Sequence, residues 1–227
     1  MVDVAAQRAK AERLRELHRG PPILVLPNAW DAASATAFAR LEGCRAIATT
    51  SAAIAEAHGY EDGERIPRDE MLAAVARIAR AVELPVTADL EAGYGDPAAT
   101  AEAAIDAGAV GLNLEDRLGS VEEHVTRIRV VRAVAESRGV QLVVNARTDV
   151  FLRGDGDVDE AVRRGNAYLD AGADCVFPIM VADRGAIARL VSELRGPMNV
   201  LHRPGVSPVA ELERLGVARV SVGSGLF

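Results

Sequence analysis

Short apolar runs recur along the chain, each entered through a glycine and left through polar residues. RLEGCRAIATTS, DAGAVGLNLED, SRGVQLVVNARTD, DAGADCVFPIM and RLGVARVSVGS share one layout, in which an Ala- and Arg-rich stretch ends in glycine and aliphatic residues follow. Gly43, Gly108, Gly139, Gly172 and Gly216 stand where the residue after a helix turns left-handed, and the run after each reads as a buried strand. PPILVLPNA, LPVTADLEAG and GPMNVLH bring the strand candidates to eight. Helix starts are marked by Asp96 before Pro97, by Ser120 with Glu123 as a capping box, by Asp183, and by Ser207 before Pro208. Alternating strands and helices predict a parallel sheet. Eight such units point to a closed (β/α)8 TIM barrel, rather than an open doubly wound sheet, spanning residues 1–227 as one domain.

Both ends of the pattern are unusual. MVDVAAQRAKAERLRELHRG predicts an extra amphipathic helix ahead of the barrel, lying across its bottom or at a subunit interface. The eighth strand, ARVSVGS, reads as apolar on both faces and is followed only by GLF, so the eighth helix is expected to be missing from this chain.

Composition narrows the function. A net charge of −7 and a pI near 5.2 argue against a nucleic-acid partner. No apolar run approaches the ~20 residues of a membrane span, and the N-terminus lacks the apolar core of a signal peptide, so a cytoplasmic protein is expected. Cys44 and Cys175 sit at helix-to-strand junctions and read as buried free thiols. Lys10, in the N-terminal helix, is the sole lysine, which excludes Schiff-base, pyridoxal-phosphate and P-loop chemistry inside the fold.

The C-terminal ends of the strands, the functional face of such a barrel, collect Asn28, Asp31, Thr49, Thr50, Ser51, Asp89, Glu91, Asn113, Glu115, Asp116, Asn145, Arg147, Asp149, His202, Ser221 and Ser224. The opposite ends carry glycine, alanine, proline and aliphatics. Three pairs spaced i, i+2 repeat there: Asp89/Glu91, Asn113/Glu115 and Asn145/Arg147. Strand periodicity turns each pair to one side, into the mouth. Asp89, Glu91 and Glu115 then converge, and their repulsion is relieved by protonation or, better, by a hard divalent cation such as Mg²⁺ or Mn²⁺. Arg147, the only arginine set within a strand end, suits a substrate carboxylate or phosphonate, or serves as counter-charge to the acids. The hydroxyls and N–H groups of TTSA and SVGSG offer a second anion cradle.

These residues, in this order, resemble the isocitrate lyase/phosphoenolpyruvate mutase superfamily. The likeness runs through LPNAWDAASA, ATTSAAIAEAHGYEDGE, PVTADLEAGYG, GLNLED, NARTD and VSVGSGL. It implies a Mg²⁺-dependent (β/α)8 barrel acting on a small 2-oxo or 2-hydroxy carboxylate through an enolpyruvate-like species. By resemblance, Asp89, Glu91 and Glu115 are metal-shell acids, with Glu91 where aspartate is more usual. Asp62 matches the loop aspartate near the reacting centre, Arg147 the substrate-carboxylate arginine, and Thr50-Ser51-Ala52 the segment that holds substrate. Asn113, Asn145, His202 and Ser221 are expected around the substrate.

The region after the fourth strand, EDRLGSVEEHVTRIR, lacks the superfamily's Lys-Lys-Cys-Gly-His loop and the phosphonomutase lysine. His124 is the titratable residue left there for a proton, or else a solvated first-turn histidine. His58 lies after the second strand. The expected activity is C–C cleavage or formation, including decarboxylation of an oxaloacetate-type acid. The alternatives are a phosphonomutase acting on a P–C bond and a non-catalytic metal-binding barrel. Relatives resemble one another in exchanging a C-terminal helix between subunits, which implies a homo-oligomer, dimer or tetramer, whose chain continues beyond Phe227.

Overall fold

Helices and strands alternate through the computed structural model, which describes residues 4–152 and 156–227. Helix α1 (Val4–Leu17) precedes β1 (Leu24–Leu26), β2 (Asn28–Ala29), α2 (Ala32–Ala39), β3 (Ile47–Thr49), α3 (Ser51–Ala57) and α4 (Arg68–Ala81). There follow β4 (Val86–Asp89), α5 (Pro97–Asp106), β5 (Gly111–Glu115), α6 (Val121–Ser137), β6 (Val143–Thr148) and α7 (Val158–Asp170). The last elements are β7 (Cys175–Pro178), α8 (Arg184–Glu193), β8 (Asn199–Leu201), α9 (Val209–Leu215) and β9 (Arg219–Ser221).

All pairings are parallel, in a six-stranded sheet ordered β2-β3-β4-β5-β6-β7 and a three-stranded sheet ordered β1-β9-β8. The two sheets meet at both ends. The first predicted strand divides at Pro27, with Leu24–Leu26 pairing to β9 and Asn28–Ala29 to β3. Proline brings no N–H to a ladder, so the change of partner falls there. At the other end Val176 bridges to Met198, its N–H donating to Pro197 O at 2.9 Å.

Continuous burial along β3, β5 and most of β6 explains why their sequences are apolar runs rather than alternating ones. Helices turn one stripe inward. Met71, Leu72, Val75 and Ile78 do so on α4, and Val121, His124, Ile128, Val131 and Ala135 on α6. Gly108, Gly139 and Gly172 follow their helices at φ +93°, +64° and +107°, as expected, and Gly216 (φ +92°) is itself the cap of α9. Gly43 departs from the pattern, because α2 already ends at Arg40. Asp96, Ser120 and Asp183 cap α5, α6 and α8; Ser120 accepts from the Glu123 N–H, one half of the expected box. Pro208 rather than Ser207 precedes α9, and no side chain caps it.

Helix α1 packs against the N-terminal ends of β5 and β6. Gln7 Nε2 donates to Ile105 O (2.8 Å) and Ala109 O (3.0 Å), and Arg15 pairs with Asp174 at 2.9 Å. Gly111 is required here, because a Cβ would lie 2.9 Å from Leu14 Cδ2, Thr87 Oγ1 and Val143 O. Strand β9 is not apolar on both faces. Arg219 is wholly buried, and its Nη2 donates to Asn113 Oδ1 at 3.4 Å while Nε and Nη1 find no partner among the described residues.

Candidate functional site

Strand β4 delivers Asp89 to the mouth, and the turn from β3 into α3 brings Thr50, Ser51 and Ala52 beside it. With Asp62, Asn113, Arg147 and Ser221 they line a cavity of about 140 Å³, walled on one side by Phe177, Ile179 and Leu201. Asp89 is held from two directions. Its Oδ2 accepts from the Ser51 N–H (3.2 Å) and Oγ (3.0 Å), and its Oδ1 from Asn113 Nδ2 (3.3 Å). Ser51 Oγ also lies 3.2 Å from Asp62 Oδ1. One hydroxyl carries one proton, so Ser51 donates to Asp89 or to Asp62 but not to both at once.

The i, i+2 spacing sets side chains together for two pairs, of which only Asn113 and Arg147 reach the cavity, and fails for the third. Register sets Asn113 beside Asn145 and Glu115 beside Arg147, and the side chains meet: Asn145 Nδ2 donates to Asn113 Oδ1 at 2.8 Å, and Arg147 Nη1 to Glu115 Oε2 at 2.7 Å. Glu91 is different. Strand β4 stops at Asp89, and Glu91 sits at φ +51° in the turn beyond, outside the pleat. It still joins the cluster, because that turn folds its side chain under Arg117.

Arg117 binds three acids. Nε donates to Glu115 Oε1 at 2.8 Å, Nη1 lies 3.2 Å from Glu64 Oε2, and Nη2 is 3.4 Å from Glu91 Oε2. Glu64 also accepts from the Tyr94 N–H at 2.7 Å. Burial pushes the Glu91 carboxyl up to about 7, with Asp62, Asp89 and Glu115 adding repulsion. Glu115 is raised too, chiefly by burial, against the pull of Arg147 and Arg117. Arg147 is fixed by Asp149 Oδ1 at Nε (2.7 Å) and by Glu115 at Nη1, which leaves Nη2 without a hydrogen bond among the described residues.

The donor set fits a divalent cation, with the acids at different depths. Among the described residues no three His, Cys, Asp or Glu side chains are gathered as a finished metal shell. Asp89 alone of the three acids lines the cavity, while Glu91 and Glu115 turn toward arginine. An all-oxygen set with one forward carboxylate suits an ion that retains several waters, as Mg²⁺ does. Burial chiefly, with repulsion from Asp62, Asp89 and Glu115 beside it, holds the Glu91 carboxyl up, and a nearby cation would draw it back down.

Other expected residues lie elsewhere. Asn145 is fully buried below Asn113. His202 lines a neighbouring cavity of about 730 Å³ with Arg203, which shares Leu201, Gly223 and Ser224 with the smaller one. His124 is neither solvated nor in the mouth. It is buried edge-on to Tyr168 (4.4 Å between centroids), and burial holds its pKa down to about 4, so it stays neutral. His58 is exposed at the end of α3. Cys175 is fully buried, its thiol pushed up to about 12, whereas Cys44 is only half-buried.

Sequence reasoning missed Arg117, Glu64 and Arg219. It also missed the role of Asp116, which accepts from Arg164 Nη1 (3.0 Å), Tyr168 Oη (2.7 Å) and the N–H groups of Leu118 and Asp149 (3.0 and 3.1 Å). Asp116 thereby anchors the loop that carries Arg117.

The profile of the phosphoenolpyruvate phosphomutase family matches residues 14–227. A 2-methylisocitrate lyase of Bacillus subtilis is 30% identical over 190 residues, covering 77% of this chain and 61% of that protein. The chain thus spans about three fifths of that lyase's length. A Burkholderia cenocepacia protein provisionally assigned as a phosphonomutase superposes with a TM-score of 0.91 at 38% identity, over 97% of this chain and 93% of its own. The structure of 2,3-dimethylmalate lyase, a member of the PEP mutase/isocitrate lyase superfamily, gives 0.83 at 30% identity, over 93% and 80%.

Proposed function

The chain belongs to the phosphoenolpyruvate phosphomutase family, a group of lyases and mutases, and from that premise we propose that it is a Mg²⁺-dependent lyase. Its substrate is a small 2-oxo or 2-hydroxy carboxylate, cut or joined at a C–C bond. The carrying observation is that Asp62, Asp89 and Arg147 face one small cavity in which Arg147 is the sole guanidinium among the described residues. At ~30 Å³ per water the cavity takes about five water volumes, the size of an oxalate or pyruvate unit. Bound Mg²⁺ supplies Lewis-acid stabilisation to the negative charge that develops as the bond breaks. Arg147, held rigid by Glu115 and Asp149, presents Nη2 to the substrate carboxylate. Asp62 takes the proton of a substrate hydroxyl as its carbon becomes a carbonyl, and Ser51 then turns its own proton to Asp89. The electron pair of the broken C–C bond stays on the departing fragment as an enolate, which takes back the proton held by Asp62, and Phe177, Ile179 and Leu201 in the lining keep water from that carbon.

Movement of phosphorus between carbon and oxygen is the competing chemistry, and a phosphonyl group asks for more cationic donors than the described residues of this lining offer. The two sheets are read as one closed (β/α)8 ring, joined at Pro27 and at Val176–Met198, and the protein as a homo-oligomer. The test is turnover with Mg²⁺ on a panel of 2-oxo and 2-hydroxy acids, with phosphonopyruvate followed by phosphorus NMR in parallel. C–C products from the panel support the lyase. Phosphoenolpyruvate formed from phosphonopyruvate, with the panel inert, replaces it with the mutase.

A further inference from the structure

The acids behind Asp89 already hold a cation of the protein's own. Arg117 reaches Glu64 in the α3–α4 connection, Glu91 in the turn after β4 and Glu115 at the end of β5. The side chains of Glu91 and Glu115 are nearly closed to solvent, at 3% and 8% exposure, while that of Arg117 is 42% exposed. The guanidinium therefore enters the cluster from outside.

Its backbone is arranged for release. Arg117 and Leu118 both lie in the left-handed region, at φ +49° and +57°, which side chains with a Cβ adopt only when the surroundings compensate. The base of this turn is pinned through Asp116, whose Oδ1 accepts the Leu118 N–H and whose Oδ2 is fixed by Arg164 and Tyr168. Among the described residues the guanidinium end is held by carboxylates alone, through the ion pairs and hydrogen bonds to Glu64, Glu91 and Glu115. Beside it lies a cavity of about 230 Å³, lined by Glu64, Gly119 and Arg127 as well as Arg117.

We propose that Arg117 is a resident counter-cation that competes with the divalent ion for Glu91 and Glu115, and that ion binding moves it from the cluster into the adjoining cavity. This rests on reading Asp89, Glu91 and Glu115 as the cation site. A divalent ion and a guanidinium cannot share two carboxylates without repelling each other, so each lowers the affinity of the cluster for the other. Arg117 thus sets the concentration at which the site fills. It also offsets part of the repulsion among the acids of the empty protein.

The test is calorimetric titration of Mn²⁺, without substrate, into the wild type, Arg117→Ala and Arg117→Gln, each checked for fold by circular dichroism. Both variants are expected to bind Mn²⁺ on the order of tenfold more tightly, the usual scale of coupling between sites. They should also gain more in melting temperature on Mn²⁺ addition than the wild type does. Binding seen only in the variants supports the proposal most strongly. Equal or weaker binding by the variants, with the wild type binding normally, overturns the competition and leaves the cation site standing. Absence of Mn²⁺ binding in all three proteins overturns both.

Discussion

Replacing Arg147 by lysine keeps a positive charge at the mouth and removes the fork. Arg147 makes two charge-assisted bonds at 2.7 Å, from Nε to Asp149 and from Nη1 to Glu115. A single ammonium can take one of those places and cannot also aim a donor at the cavity. The side chain is only 16% exposed, so water replaces the lost bond poorly. Such a bond contributes about 1.5–3 kcal/mol. A loss near 2 kcal/mol in a domain of this size lowers Tm by roughly 4–8 °C. The Nη2 contact to ligand goes with it, and a similar loss is about 10- to 100-fold in affinity, with kcat/KM falling by ~100-fold or more once the substrate is known. Thermal denaturation of the free protein reads the first effect, and calorimetry with oxalate in Mg²⁺ reads the second. A fall in Tm with oxalate affinity changed less than threefold would refute the carboxylate role and leave Arg147 as a counter-charge.

Two opposed titrations should shape stability between pH 7 and 4. Burial holds both His18 and His124 near pKa 4 when folded, against 6.5 for the free side chain, so each contributes up to about 3 kcal/mol that is present above pH 6.5 and lost as pH falls toward 4. Glu91, raised to about 7 in the folded protein, works the other way and stabilises as pH falls from 7 toward its free value. Denaturant melts from pH 7 to 4 on Glu91→Gln beside the wild type check this: a steeper acid-side loss in the variant is expected, and identical profiles contradict it. Gly111→Ala should cost about 1–3 kcal/mol, because the Val143 carbonyl oxygen cannot yield as a side chain would; an unchanged Tm refutes the close approach. Asp116→Ala should cost about 1–3 kcal/mol by removing the acceptor of Arg164 Nη1, Tyr168 Oη and the Leu118 N–H while Glu160 still pairs with Arg164, read by urea denaturation. Thiol alkylation should leave oxalate binding intact, since Cys175 is closed to reagent and Cys44 lies outside the cavity lining. Substrate-protected inactivation would contradict the placement.

What the sequence made legible follows from short-range periodicity. Asn113/Glu115 and Asn145/Arg147 were readable because a strand turns alternate residues to one side, and parallel register then brings the two pairs together. Asp89 was readable as the last polar residue of an apolar run. Glu91 was misplaced because nothing local shows that the strand stops at Asp89 and that a non-glycine residue takes a left-handed turn. Arg117 looks like any basic residue after a strand, since its partners are 26 and 53 positions away in Glu91 and Glu64. The same distance hides the bonds from Arg164 and Tyr168 to Asp116. Arg219 was hidden by its place at the start of an apolar strand, where burial without a carboxylate partner defies ordinary expectation. His124 was within reach. It falls on the buried stripe of α6 three after Val121 and four before Ile128, and helical periodicity alone puts it inside.

The central claim is that Asp89 and Arg147 together bind a cation and a small oxo-acid. The direct measurement is a crystal structure with Mn²⁺ and oxalate, using the anomalous signal of manganese. The expected map shows one manganese bound to Asp89, with oxalate reaching from it to Arg147 and water between the ion and Glu91 or Glu115. Manganese bound away from Asp89, or oxalate seated outside the cavity of Asp62, Asp89 and Arg147, would contradict the account.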